Sequence, residues 1–108
     1  MIVELAALRV AAADGAAFES AFAEADGIYR RARGWHSARL LRCVEDETRY
    51  VIEATWDHIE DQTVTFAKDG LLDEFLALVG SLFVGRPELL HYEPVGSELR
   101  RAKVADAP

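Results

Sequence analysis

The sequence contains a single cysteine, Cys43, among 108 residues. No internal disulfide can form, and a reducing cytoplasm is the expected compartment. Cys43 falls in a predicted strand and is expected to be a buried, inert thiol. Positive charge is scarce as well: 12 Lys and Arg against 19 Asp and Glu leave a formal net charge of -7. Nucleic acid and anionic membrane surfaces repel such a chain, so neither is an expected partner. The local exception is the cluster Arg100, Arg101 and Lys103, read as solubilising. Long apolar runs are missing. The longest, Phe75 to Val84, is broken by Gly80 and Ser81 and falls well short of the roughly 20 residues that span a bilayer. The first strand-like stretch carries Glu4 and has no basic lead, so it does not read as a signal peptide. There is no glycine-rich phosphate loop and no nucleophile elbow. No two of His36, His58 and His91 have the i, i+4 spacing of a helical metal site. Neither a resident metal nor a cofactor is expected.

What is present is a chain that is 51% hydrophobic and short enough for one compact domain. Ile2 to Val10 is apolar on both alternating faces, which predicts a strand covered on both sides. Glu4 is the exception on the face of Ile2, Ala6, Leu8 and Val10. Its expected partner is an arginine, Arg9 or Arg42, in preference to its standing as an acid of raised pKa. Asp14 is a candidate cap for a helix over Gly15 to Arg33, whose stripe is Phe18, Ala21, Phe22, Ala25, Ile28, Tyr29 and Ala32. Gly27 weakens that helix and Gly34 ends it. Trp35 to Val44 and Arg49 to Trp56 predict a hairpin around Glu45-Asp46-Glu47. In the second of these strands Tyr50, Ile52, Ala54 and Trp56 share one face; Arg49, Val51, Glu53 and Thr55 share the other.

Asp57 and Glu60 have capping-box spacing and open a second helix, expected to carry Ile59, Thr63 and Phe66 inward. Lys68-Asp69-Gly70 interrupts it, and a further helical piece runs from about Leu71 to Phe83. Gly85-Arg86-Pro87 is a breaker, and Leu89 to Val95 is a last strand in which Pro94 cannot donate to a ladder. The order is βαββαβ. This predicts an α+β, ferredoxin-like fold with a four-stranded antiparallel sheet over residues 1–95, followed by a polar tail over 96–108. Helices cover one sheet face. The other, with Val51 and Thr55, lacks a cover within the chain, so a homodimer is expected; the alternative is a mostly polar, solvated face, to which Glu53 points by parity.

Three short motifs carry a family resemblance over roughly residues 2 to 95: Gly34-Trp35 opening the second strand, Glu53 to Asp57 (EATWD), and His91 to Val95 (HYEPV). Together with the βαββαβ order they resemble the antibiotic biosynthesis monooxygenase (ABM) domain family. The resemblance implies a dimeric α/β barrel and a pocket between the sheet and helices of one subunit, lined by the strand-ending Trp56. It also implies, for some members, cofactor-independent oxygenation of aromatic polyketides or quinols, and for others haem degradation. The asparagine common four residues before the tryptophan in polyketide oxygenases is here Ile52. The tyrosine or histidine common six residues after it is Gln62. The region matching an arginine of the second helix holds Leu76. Haem degraders use an axial histidine on that helix, and Asp69 to Phe83 contains none; they also use an asparagine on the first strand, where Ala6 stands. Haem degradation is therefore not expected.

A cofactor-free oxygenase needs a flat aromatic slot with a few polar tips, because the deprotonated substrate itself reduces dioxygen. Trp56, Tyr50, Tyr29, Phe66 and Phe75 are the candidate walls. Tyr29, Tyr50, Gln62 and the Trp56 indole are the candidate polar tips, with Ile52 and Leu76 beside them. The leading expectation is a small homodimeric monooxygenase taking a small aromatic polyketide or quinol. The alternative is a non-catalytic dimeric ligand-binding module of the same fold.

Overall fold

The computed structural model of the chain describes residues 1–102. Lys103, expected in the cationic cluster, lies outside the described residues. Strands β1 (Ile2–Arg9), β2 (Trp35–Arg42), β3 (Arg49–Trp56) and β4 (Glu88–Tyr92) form one antiparallel sheet in the order β2-β3-β1-β4. Helices α1 (Gly15–Glu24), α2 (Asp26–Tyr29), α3 (Phe66–Lys68, preceded by a π-helical turn over Asp61–Thr65) and α4 (Leu71–Val79) complete it. The expected ferredoxin-like α+β fold is the observed one. Register fixes the faces: Glu4 lies opposite both Ala54 and His91, Ala6 opposite Ile52 and Leu89, and Leu8 opposite Tyr50. Cross-strand partners share a face, so these residues and Trp56 all look toward the helices. They pack there with Phe18, Ile28, Tyr29, Phe66, Leu71, Phe75 and Val79 in a single core.

Several local expectations are corrected. The first helix is not continuous to Arg33. At Ala25 and Ile28 the backbone tightens to three-residue hydrogen bonds, to Phe22 and Ala25 respectively. That break turns Ile28 and Tyr29 into the core. Asp14 makes no side-chain cap; a 3₁₀ turn over Ala12–Asp14 leads into α1 instead. β2 ends at Arg42, so Cys43 stands just beyond it and is half-buried, not buried. β4 ends at Tyr92, two residues before Pro94. The Asp57 carboxylate is drawn to His36, 2.5 Å away, and does not cap the second helix. The Asp61 carboxylate makes the reciprocal bond expected of Glu60, accepting the His58 backbone N–H at 3.1 Å.

Ile59 and Thr63 do not point inward. Thr63 is exposed, and its hydroxyl donates to the Ile59 carbonyl at 3.0 Å. The cause is the π turn: one extra residue in the turn shifts the phase of the helix, and Asp61 and Gln62 face the interior in their place, alongside Phe66, which is buried as expected. Gly34 makes that packing possible. Its φ of 76° suits glycine, and the Asp61 carboxylate occupies the space a Cβ would fill. The Gly34 carbonyl also accepts the Asp57 N–H at 2.8 Å, which ties the end of β3 to the turn before β2.

On the opposite sheet face Val3, Leu5 and Val51 are half-buried, while Leu41, Leu90 and Tyr92 are exposed. Its polar groups are paired within the sheet: Arg39 with Glu53 at 2.6 Å, and Ser37 with Thr55 at 2.7 Å.

Candidate functional site

A cavity of about 80 Å³ lies between the helix-facing side of the sheet and the π turn, α3 and α4. β1 contributes Glu4, Ala6 and Leu8, and β3 contributes Trp56. The helices contribute Tyr29, Gln62, Phe66, Phe75 and Leu76. Six of the predicted residues therefore meet at one place: Trp56, Gln62, Tyr29, Phe66, Phe75 and Leu76. Tyr50 and Ile52 are not in the lining. They share the Trp56 face but sit further along the sheet, both 2% exposed. The Tyr50 hydroxyl donates to Glu19 at 2.6 Å, and its ring meets Phe18 edge-on at 5.0 Å, so it ties α1 to the sheet.

The walls are built from rings. Tyr29 stacks on Phe66 at 5.9 Å on one side and on Trp35 at 5.4 Å on the other; Trp56 meets Phe66 edge-on at 5.6 Å. Such offset and edge contacts fix ring positions without any polar group. Among the described residues, the one buried side-chain nitrogen or oxygen without a hydrogen-bond partner is Trp35 Nε1.

Glu4 is the residue whose role differs most from expectation. No arginine reaches it. Arg9 points to the opposite sheet face, where it bonds Thr48 and Asp46; Arg42, at the far end of the sheet, is held by Glu19 at 2.9 Å. Instead the Trp56 indole Nε1–H donates to Glu4 Oε1 at 3.0 Å. Burial pushes the Glu4 carboxyl up to about 7, and the Trp56 hydrogen bond pulls in the opposite direction without compensating. The Tyr29 phenol is raised well above its ordinary range, first by burial and then by the charge of Glu4. Among the described residues, no titratable side chain apart from Glu4 and the Tyr29 phenol lines the cavity, and no cation does. The sequence did carry the signal: Glu4 is the lone charge at helix-facing parity in β1. What misled was the abundance of arginines, all of which lie elsewhere.

The other polar wall residue, Gln62, is bound from outside. His91 Nε2 lies 2.7 Å from Gln62 Oε1. His36 is bonded to Asp57 away from the cavity, and His58 is exposed. Among the described residues no three potential metal-binding side chains converge. A wider, open concavity of about 530 Å³ lies at one end of the sheet, lined by Arg9, Arg42, Arg49 and Arg86. Three of these already have carboxylate partners, Arg9 and Arg49 sharing Asp46 and Arg42 held by Glu19, and Glu88 also lines the space.

The fold and cavity define a ferredoxin-like α+β domain with one high-pKa carboxylic acid inside an aromatic chamber. The chain belongs to the antibiotic biosynthesis monooxygenase family, whose model matches residues 1–64. It is 32% identical to a Bordetella bronchiseptica protein assigned to the antibiotic biosynthesis monooxygenases, with a TM-score of 0.84 over 87% of this chain and 96% of that one. It shares its fold with the ActVA-Orf6 monooxygenase of Streptomyces coelicolor, solved with nanaomycin D (24% identity, TM-score 0.77, 93% and 92% of the two chains). The same holds for SnoaB, a cofactor-independent oxygenase of Streptomyces nogalater (22% identity, TM-score 0.72, 89% and 94%).

Proposed function

We propose that the chain is a cofactor-independent monooxygenase for a small, neutral phenolic or quinol-type aromatic, with Glu4 as its general base. The observation that carries this reading is the buried Glu4 carboxyl, pushed up to about 7 inside the aromatic cavity. A base is most effective when its pKa lies near the working pH. The fold shared with SnoaB, a cofactor-independent oxygenase, supports the same reading. Glu4 removes a proton from the substrate. The resulting carbanion passes one electron to dioxygen, and the radical and superoxide combine at carbon as a peroxide. Its O–O bond then breaks as a second C–H proton is lost. One oxygen stays as a carbonyl and the other leaves as water, so the sum is R₂CH₂ + O₂ → R₂C=O + H₂O.

The lining restricts the substrate. A ligand carboxylate or phosphate brings a second anion beside Glu4 with no cation to offset either, which costs several kcal/mol. The volume of about 80 Å³ is below the ~150 Å³ of an apolar cavity that takes benzene. A ring is admitted when the rim parts at Leu76 and Leu89, each 42% exposed. With an oxygen electrode and no added cofactor, neutral phenols, quinols or anthrones are expected to consume one O₂ each. The same rings bearing a carboxylate are expected to react at least about 100-fold more slowly, from the cost of the second buried charge. No uptake above buffer across the neutral panel defeats the reading. The small volume, and Ile52 where polyketide oxygenases of the family commonly carry an asparagine, favour the rival, a binding module without turnover; binding of neutral phenols without oxygen uptake is its signature.

Two copies joined through the open sheet face complete the proposal. Leu41, Val51, Leu90 and Tyr92 form an apolar strip of the kind that obligate interfaces cover. Sedimentation is expected to give a dimer for the intact chain and a monomer for Leu90→Glu. A wild-type monomer at tens of micromolar contradicts it.

A further inference from the structure

The cavity offers a phenolate oxygen few donors. The Trp56 N–H is taken by Glu4, and the Tyr29 hydroxyl and the Gln62 amide remain. An amide presents either its carbonyl or its NH₂, and these do opposite things to an anion. Which end of Gln62 faces inward is decided by its neighbour outside the cavity. His91 lies on β4 directly across from Glu4, is half-buried, and is not part of the lining. Its Nε2 sits 2.7 Å from the Gln62 carbonyl oxygen. With the proton on Nε2, His91 donates to that carbonyl, and the NH₂ is left for the chamber. With the proton on Nδ1, the amide turns over, donates to His91, and puts a carbonyl into a cavity that already contains a carboxylate.

The second arrangement sets the Gln62 carbonyl and the Glu4 carboxylate in one apolar space with only the Tyr29 hydroxyl left to serve both, which is unfavourable at low local dielectric. The first puts a donor where charge develops when the proton passes to Glu4, the geometry that stabilises an oxyanion. The π turn is what brings Gln62 to this position. We infer that His91 is a positioning residue: its Nε2–H holds the Gln62 carbonyl, so that the Gln62 NH₂ donates to the phenolate oxygen of the substrate. The inference rests on the oxygenase reading for its role, while the orientation it asserts can be read without turnover.

The test has two arms on the full chain. In a long-range ¹H–¹⁵N spectrum of ¹⁵N-histidine-labelled protein, the neutral His91 ring is expected to show a protonated, pyrrole-type Nε2. A pyridine-type Nε2 overturns the inference whatever the activity. In the kinetic arm, His91→Leu is expected to lower kcat by about tenfold or more with KM within about twofold, as loss of an oriented oxyanion donor does. His91→Gln keeps an N–H at the same reach and is expected to recover most of the rate. Gln62→Leu is expected to lose at least as much as His91→Leu, and the double variant no more than Gln62→Leu alone. If His91→Leu retains full kcat while Glu4→Gln is inactive, the positioning role fails and the oxygenase reading stands. If the wild-type protein consumes no oxygen, the oxygenase reading fails, and the positioning role in catalysis fails with it.

Discussion

Oxygen uptake by the Glu4→Gln variant is expected to fall by about 10²–10⁴-fold, the range of a lost general base. Glutamine keeps the length of the side chain and an acceptor for the Trp56 N–H, so the cavity wall survives while the base does not. In the wild-type protein kcat is expected to rise with pH through a single limb near 7, where the buried carboxyl ionises. The same carboxyl sets a stability trade that the variant reverses. In the unfolded chain it titrates at its ordinary value of 4.5, in the folded one at about 7. Below pH 4.5 both states carry the proton and the group contributes nothing. Between 4.5 and 7 the folded state binds more protons than the unfolded state, so stability falls as pH rises, and above 7 the loss is complete. Its size is about 3 kcal/mol, from the shift of the carboxyl at 1.36 kcal/mol per pH unit. Glu4→Gln is therefore expected to match the wild type in urea unfolding at pH 4 and to exceed it by roughly that amount at pH 8. An inactive variant with no gain at pH 8 contradicts the burial argument. A stabilised but fully active one contradicts the base.

Trp56→Phe is expected to have the largest effect among the ring residues. Trp56 is 1% exposed, and its indole N–H is the hydrogen-bond donor to Glu4 Oε1. Phenylalanine leaves a void next to Phe66 and Tyr29 and removes that donor. The void and the unpaired carboxylate together cost about 2–4 kcal/mol. Since the indole bond lowers the Glu4 pKa, its loss moves the rate limb to higher pH. Activity at pH 7 should drop several-fold and recover in part by pH 9, which a pH–rate profile reads directly. A limb that stays in place shows that the indole does not tune Glu4.

The topology was legible because it depends on periods and breakers that survive without tertiary information. Alternation in Arg49 to Trp56 placed Tyr50, Ile52, Ala54 and Trp56 on one face, and all four are buried together. Parity, however, places a residue on a face and says nothing of how far along the sheet a cavity extends. Tyr50 and Trp56 look the same in the pattern, yet Trp56 reaches the chamber and Tyr50 meets α1. Glu4 was visible as an anomaly, but its partner was not. A buried acid is commonly ion-paired, but the packing holds Arg9 at Asp46 and Arg42 at Glu19, beyond its reach. Capping followed the same course: Asp57 has the spacing of a cap, but His36, brought close by the irregular pairing between Trp35 and Ser37, competes for its carboxylate.

The π turn over Asp61–Thr65 has a consequence for how relatives are to be compared. A regular α-helix covers the same span with one residue fewer. A homologue one codon shorter here can keep every neighbouring letter and still present a different side chain to the chamber. For a relative with a regular helix here, alignment columns after the turn map onto cavity positions only when the gap is placed inside it. Gln62 is equivalent to another protein's polar group only where both chains carry the same insertion.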